Sequence, residues 1–183
     1  MGDCLTATDQ KKEDLESWMR DYGTSLLRLS FLYLRDLHLA EDVVQETMLK
    51  AYFRYDDFRR QSSAKTWLTR IAINLCKDCR RSAWFQRVSC EDLIAEIAGP
   101  GKGPDPGDVV GNQVEKKYQN QDLLAAIMRL PLKYKEVILL YYYQGFSTKE
   151  TAGILSVPES TVSTRLRRAK AALKRDLGGW SYD

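Results

Sequence analysis

The sequence predicts an all-α protein: two small helical domains joined by a flexible linker, the C-terminal one containing a helix-turn-helix. Three observations predict it. On both sides of the middle of the chain, apolar residues recur at the spacing of a helix that buries one face. No stretch sustains the period-two alternation of a half-buried strand. The run Gly99-Pro100-Gly101-Lys102-Gly103-Pro104-Asp105-Pro106-Gly107 holds more glycine and proline than any helix or strand interior accommodates. Near the C-terminus, two helical patterns are separated by only Ser156-Val157-Pro158. The 183 residues thus divide into a domain over 14–86, an acidic flexible linker over 87–118 and a domain over 119–177.

Taken in order, Leu15, Trp18 and Met19 mark a first short helix, and Leu26, Leu27, Leu29, Phe31, Leu32 and Leu34 mark the next. His38, between Leu37 and Leu39, reads as a solvent-side cap residue at a helix end. Val43, Val44, Thr47, Met48, Ala51 and Tyr52 stripe a further helix, and Trp67, Leu68, Ile71, Ala72 and Leu75 another. Between these two, Tyr55–Ser63 is polar and non-periodic, hence a loop. Beyond the linker, Leu123, Leu124, Ile127 and Met128 form a helix ended near Leu130-Pro131, and Val137–Tyr143 forms one ended by Gly145. Tyr141, Tyr142 and Tyr143 are expected to pack beside the helix-turn-helix.

That motif is the sharpest local signal. Ser147-Thr148-Lys149-Glu150 fits a capping box, with the Ser147 hydroxyl accepting an amide while Glu150 reaches back. Ala152, Ile154 and Leu155 supply the buried side of a short helix. Ser156-Val157-Pro158 breaks it, and Pro158 suits the first turn of the helix that follows. In this second helix Val162, Leu166, Ala169 and Leu173 form one inward stripe. The opposite face carries Ser160, Thr161, Ser163, Thr164, Arg165, Arg167 and Arg168. Hydroxyls near a helix N-terminus and guanidiniums further on suit a DNA major groove, where they meet base edges and phosphates.

Charge and composition narrow the function classes. Net charge is only +3, from 28 basic and 25 acidic residues. Its distribution is uneven: Arg165, Arg167, Arg168, Lys170, Lys174 and Arg175 crowd Glu159–Arg175, and Lys65, Arg70, Lys77, Arg80 and Arg81 crowd Ala64–Arg81. Two basic stretches in separate halves imply two contacts with a polyanion. The mean hydropathy of −0.43 and the absence of any apolar run of ~18–20 residues speak against a membrane span. Met1–Lys12 lacks a basic start followed by an apolar block, so no secretory signal is expected and a cytoplasmic location is. One histidine, His38, leaves no basis for a triad or a histidine metal site, so no enzymatic activity is expected. Cys76-Lys77-Asp78-Cys79 has a C-x-x-C spacing, but no second pair accompanies it. Reduced helix cysteines are expected, with neither metal nor cofactor.

The whole pattern resembles the extracytoplasmic-function group of bacterial sigma-70-type RNA polymerase sigma factors. Ala40-Glu41-Asp42-Val43-Val44-Gln45-Glu46-Thr47 looks like that family's conserved-region-two helix, followed by Phe58-Arg59 and Lys65-Thr66-Trp67-Leu68-Thr69-Arg70-Ile71-Ala72-Ile73-Asn74. Leu130-Pro131 through Tyr141, Gly145-Phe146-Ser147, Ile154-Leu155 and Val157-Pro158-Glu159-Ser160-Thr161-Val162 look like its region-four domain. The resemblance implies a dissociable, non-catalytic subunit. It would bind core RNA polymerase, direct initiation at particular promoters and be controlled by an anti-sigma factor, often membrane-bound in this family.

Residue by residue, the resemblance places Asp42, Gln45 and Glu46 at the contact with core polymerase. It places Phe58, Arg59, Arg60, Gln61, Lys65, Trp67 and Arg70 at the minus-ten element, where strand opening calls for aromatic surface and cations. Trp67 equally fits the buried stripe with Ile71 and Leu75. Ser160, Thr161, Ser163, Thr164, Arg165, Arg167 and Arg168 fall on the minus-thirty-five recognition helix. Two departures stand out: Trp67-Leu68 replaces the adjacent tryptophans of many housekeeping sigma factors, and Ser163 stands where relatives often carry Lys or Arg. An independent repressor or activator would use the same helix-turn-helix, but would have no purpose for the Asp42-Gln45-Glu46 face. A nuclease or recombinase would have only Glu41, Asp42 and Glu46 to hold Mg²⁺.

Overall fold

A computed structural model describes residues 7–58, 62–82 and 122–177, with side chains from residue 9 onward. The secondary structure of the described residues is helical throughout. Helices α1 (Ala7–Leu34), α2 (Leu37–Phe53) and α3 (Ala64–Arg81) come first. They are followed by α4 (122–129), α5 (Leu132–Ile138), a π-helical turn (Leu139–Tyr143), α6 (Thr148–Leu155) and α7 (Glu159–Asp176). The predicted linker 87–118 lies outside the described residues. The chain divides into two compact units, Met1–Ser89 with Lys149–Val157, and Cys90–Thr148 with Pro158–Asp183.

In the first unit α1, α2 and α3 each pack on the other two. Their shared core is Leu26, Leu29, Tyr33, Leu34, Val43, Leu68, Ile73 and Cys76, all nearly or completely removed from solvent. The two N-terminal helices expected from the sequence are one continuous α1 of 28 residues. Gly23 lies between the two expected helices, and a glycine in a helix interior costs about 1 kcal/mol relative to alanine. Gly23 is buried, and a Cβ on it would come within 3.0 Å of the Met19 sulfur. The glycine therefore admits the Met19 side chain, and burial of Leu26 and Leu29 outweighs its propensity.

The turn from α1 to α2 is made by Arg35 in the left-handed region (φ 59°), with its N–H donating to the Phe31 carbonyl at 2.7 Å. Asp36 then caps α2, its Oδ1 accepting from the Leu39 N–H at 2.9 Å. His38, expected as a cap, is instead the second residue of α2. Its side chain is 94% exposed and 3.9 Å from Glu41. A carboxylate one residue before the helix outcompetes an imidazole already inside it. After α2 the predicted loop contains a single 3₁₀ turn, Tyr55–Asp57.

In the second unit α5 packs against α7. The helix predicted over Val137–Tyr143 begins earlier, at Leu132 directly after Pro131, and widens into a π turn at Leu139, where the Gln144 N–H donates to the Leu139 carbonyl. The extra residue keeps Leu139, Leu140 and Gln144 inward and turns the intervening tyrosines outward. Of the tyrosines expected to pack beside the helix-turn-helix, Tyr142 lies against α7, with Lys170 Nζ 5.3 Å from its ring centroid, while Tyr141, Tyr142 and Tyr143 remain 36%, 52% and 49% exposed. Gly145 closes the turn at φ 75°, a conformation that favours glycine, and the Phe146 N–H bonds back to Leu140.

The short connection from α6 to α7 follows from backbone hydrogen bonding. Ser156 takes φ 57°, and the Val157 N–H donates to the Ala152 carbonyl at 3.1 Å, a Schellman closure. Pro158 occupies the N-cap of α7, one place before the first turn expected of it, and accepts from the Thr161 N–H. A proline has no side-chain acceptor for the helix start. The adjoining Glu159 carboxylate lies in the first turn and accepts from the Thr148 hydroxyl at 2.5 Å.

Candidate nucleic-acid interface

Three surfaces gather the candidate residues. On α2, Val43, Val44, Thr47 and Ala51 are buried, with the Thr47 hydroxyl satisfied by the Val43 carbonyl at 2.6 Å. Asp42, Gln45 and Glu46 are all exposed on the other side of the helix, as their spacing predicts. The structure adds what the sequence reading missed: the exposed face continues into Leu49 (53% exposed) and Phe53 (76%). These fall three, seven and eleven residues after Glu46 and Asp42, a continuation that periodicity alone made available. Lys50 sits 3.6 Å from Glu46 at the edge of this face.

The second surface is an aromatic box. Phe58 stacks on Trp67 with ring centroids 4.9 Å apart and planes 25° from parallel. Trp18 of α1 meets Phe58 edge to face at 5.4 Å and Trp67 at 6.0 Å, and Tyr55 stacks on Trp18 at 5.9 Å. The Tyr55 hydroxyl donates to Asp14 Oδ2 at 2.5 Å. Trp67 is half-buried, one face given to the box and the rest to the α3 packing. Its sequence position allowed either stacking on an unpaired base or a core position, and within the protein it stacks on Phe58. Trp18 escaped the sequence reading because only tertiary packing brings α1 beneath Phe58.

Ser63 caps α3 by accepting the Thr66 N–H at 3.1 Å, which fixes where Lys65 and Trp67 project. Lys65 is half-buried. Arg70 is also half-buried, its guanidinium lying where a Cβ at Gly153 of α6 would come within 3.2 Å. Thr66 donates to Glu150 of the same helix at 3.4 Å. Arg59, Arg60 and Gln61 lie outside the described residues.

The third surface is the outer side of α7. Val162, Leu166 and Ala169 are buried and Leu173 is half-buried, so the predicted stripe faces inward. Ser160, Ser163, Arg167 and Arg168 are exposed, while Thr161, Thr164 and Arg165 are half-buried. Arg165 is held by Glu136 of α5 at 3.3 Å, with side chains 24% and 8% exposed. An open groove of about 330 Å³ runs between the start of α5 and the first half of α7, lined by Lys133, Tyr134, Ser160, Thr161, Thr164, Arg165 and Arg168. Lys133 and Tyr134 fall inside the region-four stretch Leu130–Tyr141, but the sequence does not single them out as site residues. Further along α7, the Tyr142 hydroxyl raises the Lys170 pKa, so that lysine stays charged.

Of the cysteines, Cys76 and Cys79 are among the described residues, and both thiols are held protonated at neutral pH. Burial pushes the Cys76 thiol up to about 12. Burial also raises Cys79, with the Asp78 and then the Asp42 carboxylates adding to it. Among the described residues no group of three His, Cys, Asp or Glu side chains is arranged to hold a metal ion. Among them, too, no helix is long and apolar enough to cross a membrane.

An all-helical chain with an exposed acidic helix face, an aromatic box beside a basic helix and a separate helix-turn-helix matches two sequence families. Residues 18–86 match Sigma-70 region 2 and residues 120–173 match Sigma-70, region 4. The chain belongs to the extracytoplasmic-function group of sigma-70-type RNA polymerase sigma factors. It is 34% identical over 167 residues to the ECF RNA polymerase sigma factor SigW of Bacillus subtilis (strain 168), covering 85% of this chain and 84% of that protein. It is 33% identical over 162 residues to the ECF RNA polymerase sigma factor SigM of Mycobacterium tuberculosis, covering 87% and 74%. Its fold is similar to that of the sigma factor RpoE solved with the anti-sigma factor NepR from Bartonella quintana. There the TM-score is 0.66, at 23% identity over 91% of this chain and 98% of that one. CnrH, solved with the cytosolic domain of CnrY, gives the same TM-score at 21% identity over 95% and 96%.

Proposed function

We propose that this chain is an alternative sigma factor that binds core RNA polymerase, directs promoter-specific transcription initiation and is held in check by an anti-sigma factor. In this reading residues 14–86 bind core enzyme and recognise and melt the minus-ten element, 87–118 form the linker, and 119–177 recognise the minus-thirty-five element. Asp42, Gln45 and Glu46 meet the polymerase. Phe58, Lys65, Trp67 and Arg70, with Arg59, Arg60 and Gln61, meet the opened strand, whose unstacked bases need aromatic faces and whose backbone needs cations. Ser160, Thr161, Ser163, Thr164, Arg165, Arg167 and Arg168 face the major groove. The chain supplies no bond-making chemistry of its own and works in the cytoplasm, where polymerase is.

One observation carries the reading: the stack of Phe58 on Trp67, floored by Trp18, in a unit that also carries an exposed acidic helix face. A free-standing helix-turn-helix regulator has no use for either feature. Control by an anti-sigma factor is supported by the similar fold of RpoE in its complex with NepR.

Transcription from sheared genomic DNA of the source organism, with bacterial core polymerase and with or without this chain, tests the proposal. New RNA 5′ ends sharing two spaced upstream elements are expected. No new starts, together with no association with core, overturns it in favour of an independent DNA-binding regulator.

A further inference from the structure

The groove beside α7 has a second wall outside the recognition helix. Seven side chains line it, and every one of them carries an N–H or O–H donor. None is a carboxylate. Ser160 and Thr161 belong to the first turn of an 18-residue helix, whose dipole adds positive potential there. At roughly 30 Å³ per water, a space of about 330 Å³ admits a tetrahedral phosphate with bridging waters.

The three cations in the groove are not equivalent. Arg165 has its charge largely offset by Glu136 at 3.3 Å, and one of its guanidinium nitrogens is committed to that carboxylate. The ion pairs among the described residues include Arg165 but neither Lys133 nor Arg168. Lys133 rests instead over the Tyr134 ring, 5.1 Å from its centroid, which steadies the ammonium without neutralising it.

We propose that the first turn of α5 is part of the DNA-binding surface: Lys133 and Tyr134, facing Ser160, Thr164 and Arg168 across the groove, grip one backbone phosphate beside the recognition helix, while Glu136 withholds Arg165 from that contact. This rests on the reading of α7 as the recognition helix. Lys133 and Arg168 supply the charge, and the hydroxyls supply direction. Arg165, fixed at one end by Glu136, presents its remaining N–H groups toward a base edge instead of counting against a phosphate.

The test uses holoenzyme reconstituted from bacterial core polymerase and the full chain. Its probe is a duplex that this holoenzyme selects from genomic fragments, titrated across a KCl series. Lys133→Ala and Arg168→Ala are each expected to weaken binding about tenfold, the size of a lost charge-assisted hydrogen bond. Because both cations serve one phosphate, the double variant lowers the slope of log affinity against log salt by about 0.9 in total. Tyr134→Phe weakens binding without altering the slope. The neutral pair Arg165→Gln with Glu136→Gln, which retains a hydrogen-bonding partner for each residue, also leaves the slope unchanged. Lys12→Ala, an exposed charge on α1, controls for general loss of charge.

A Lys133→Ala holoenzyme with wild-type affinity and slope overturns the proposal. So does a double variant whose slope falls by about 1.8, since that means two separate phosphates. If the neutral pair lowers the slope as the clamp variants do, Arg165 is a phosphate ligand and the role given to Glu136 fails. If wild-type holoenzyme selects no duplex at all, the sigma reading itself fails, a result distinct from selection that ignores Lys133.

Discussion

Replacing Arg165 by alanine removes the guanidinium 3.3 Å from a carboxylate whose side chain is only 8% exposed. At that separation, with an effective dielectric near 20, the attraction is about 4–5 kcal/mol before desolvation. Withdrawing Glu136 from water offsets most of it, leaving a pairwise coupling of about 1–2 kcal/mol. The two single changes are unequal because the two side chains are unequally buried. Arg165→Ala takes the ion pair from a desolvated carboxylate and is expected to cost about 3 kcal/mol, the low end for a broken buried pair because the arginine sits at the rim. Glu136→Gln leaves a cation that turns to water and an amide that still accepts, for about 1 kcal/mol. Combining them removes the charge that lost its ion pair, so Arg165→Ala with Glu136→Gln costs about 2–3 kcal/mol, about 1–2 kcal/mol less than the sum of the single changes. Urea titration of the four proteins, followed by far-ultraviolet circular dichroism, measures all three differences. Strict additivity, or a Glu136→Gln cost above that of Arg165→Ala, refutes the account of which partner is desolvated.

Phe53→Ser with Leu49→Ser is expected to weaken association with core polymerase about tenfold while leaving urea stability unchanged, because both side chains are solvated in the free chain. Gln45→Ala with Glu46→Ala acts in the same direction, and core binding measured by size exclusion or anisotropy that ignores all four changes removes α2 as the contact face. Trp67→Ala costs about 2–3 kcal/mol, less than a fully buried tryptophan, and impairs promoter opening more than promoter binding. Permanganate reactivity of the opened strand, with Trp67→Phe restoring most of it, is the check. Cys76, with its pKa near 12 against 9 unfolded, keeps its proton longer in the folded state. Its contribution is therefore intact below pH 9, and stability falls by about 1.4 kcal/mol per pH unit between 9 and 12. Cys76→Ser, measured against the parent across that window, removes this slope; an unchanged slope means that Cys76 is not the group titrating.

Much of the fold was legible because helical burial leaves a local signature. The stripe Val162, Leu166, Ala169 and the break at Pro158 place α7 to within a residue, and Asp42, Gln45 and Glu46 emerge exposed where their spacing puts them. What escaped were features made between elements. Trp18 and Trp67 lie far apart in the chain and meet only when α1 packs on α3. Lys133 and Tyr134 acquire their setting when α5 lies along α7, and the same packing brings Glu136 to Arg165. The π turn has no period of its own to read, so the partial exposure of Tyr141–Tyr143 was not legible in the sequence.

The chain contains four tryptophans, and two of them, Trp18 and Trp67, stand edge to face in the box that also holds Phe58. A nucleobase that slides onto this surface changes the polarity around both indoles and quenches their emission by stacking. Phenylalanine at Trp84 and Trp180 silences the other two. The protein then carries its own unlabelled fluorophore at the surface proposed to receive the opened strand, and under that proposal a stopped-flow trace of its emission times strand separation on promoter DNA that bears no dye.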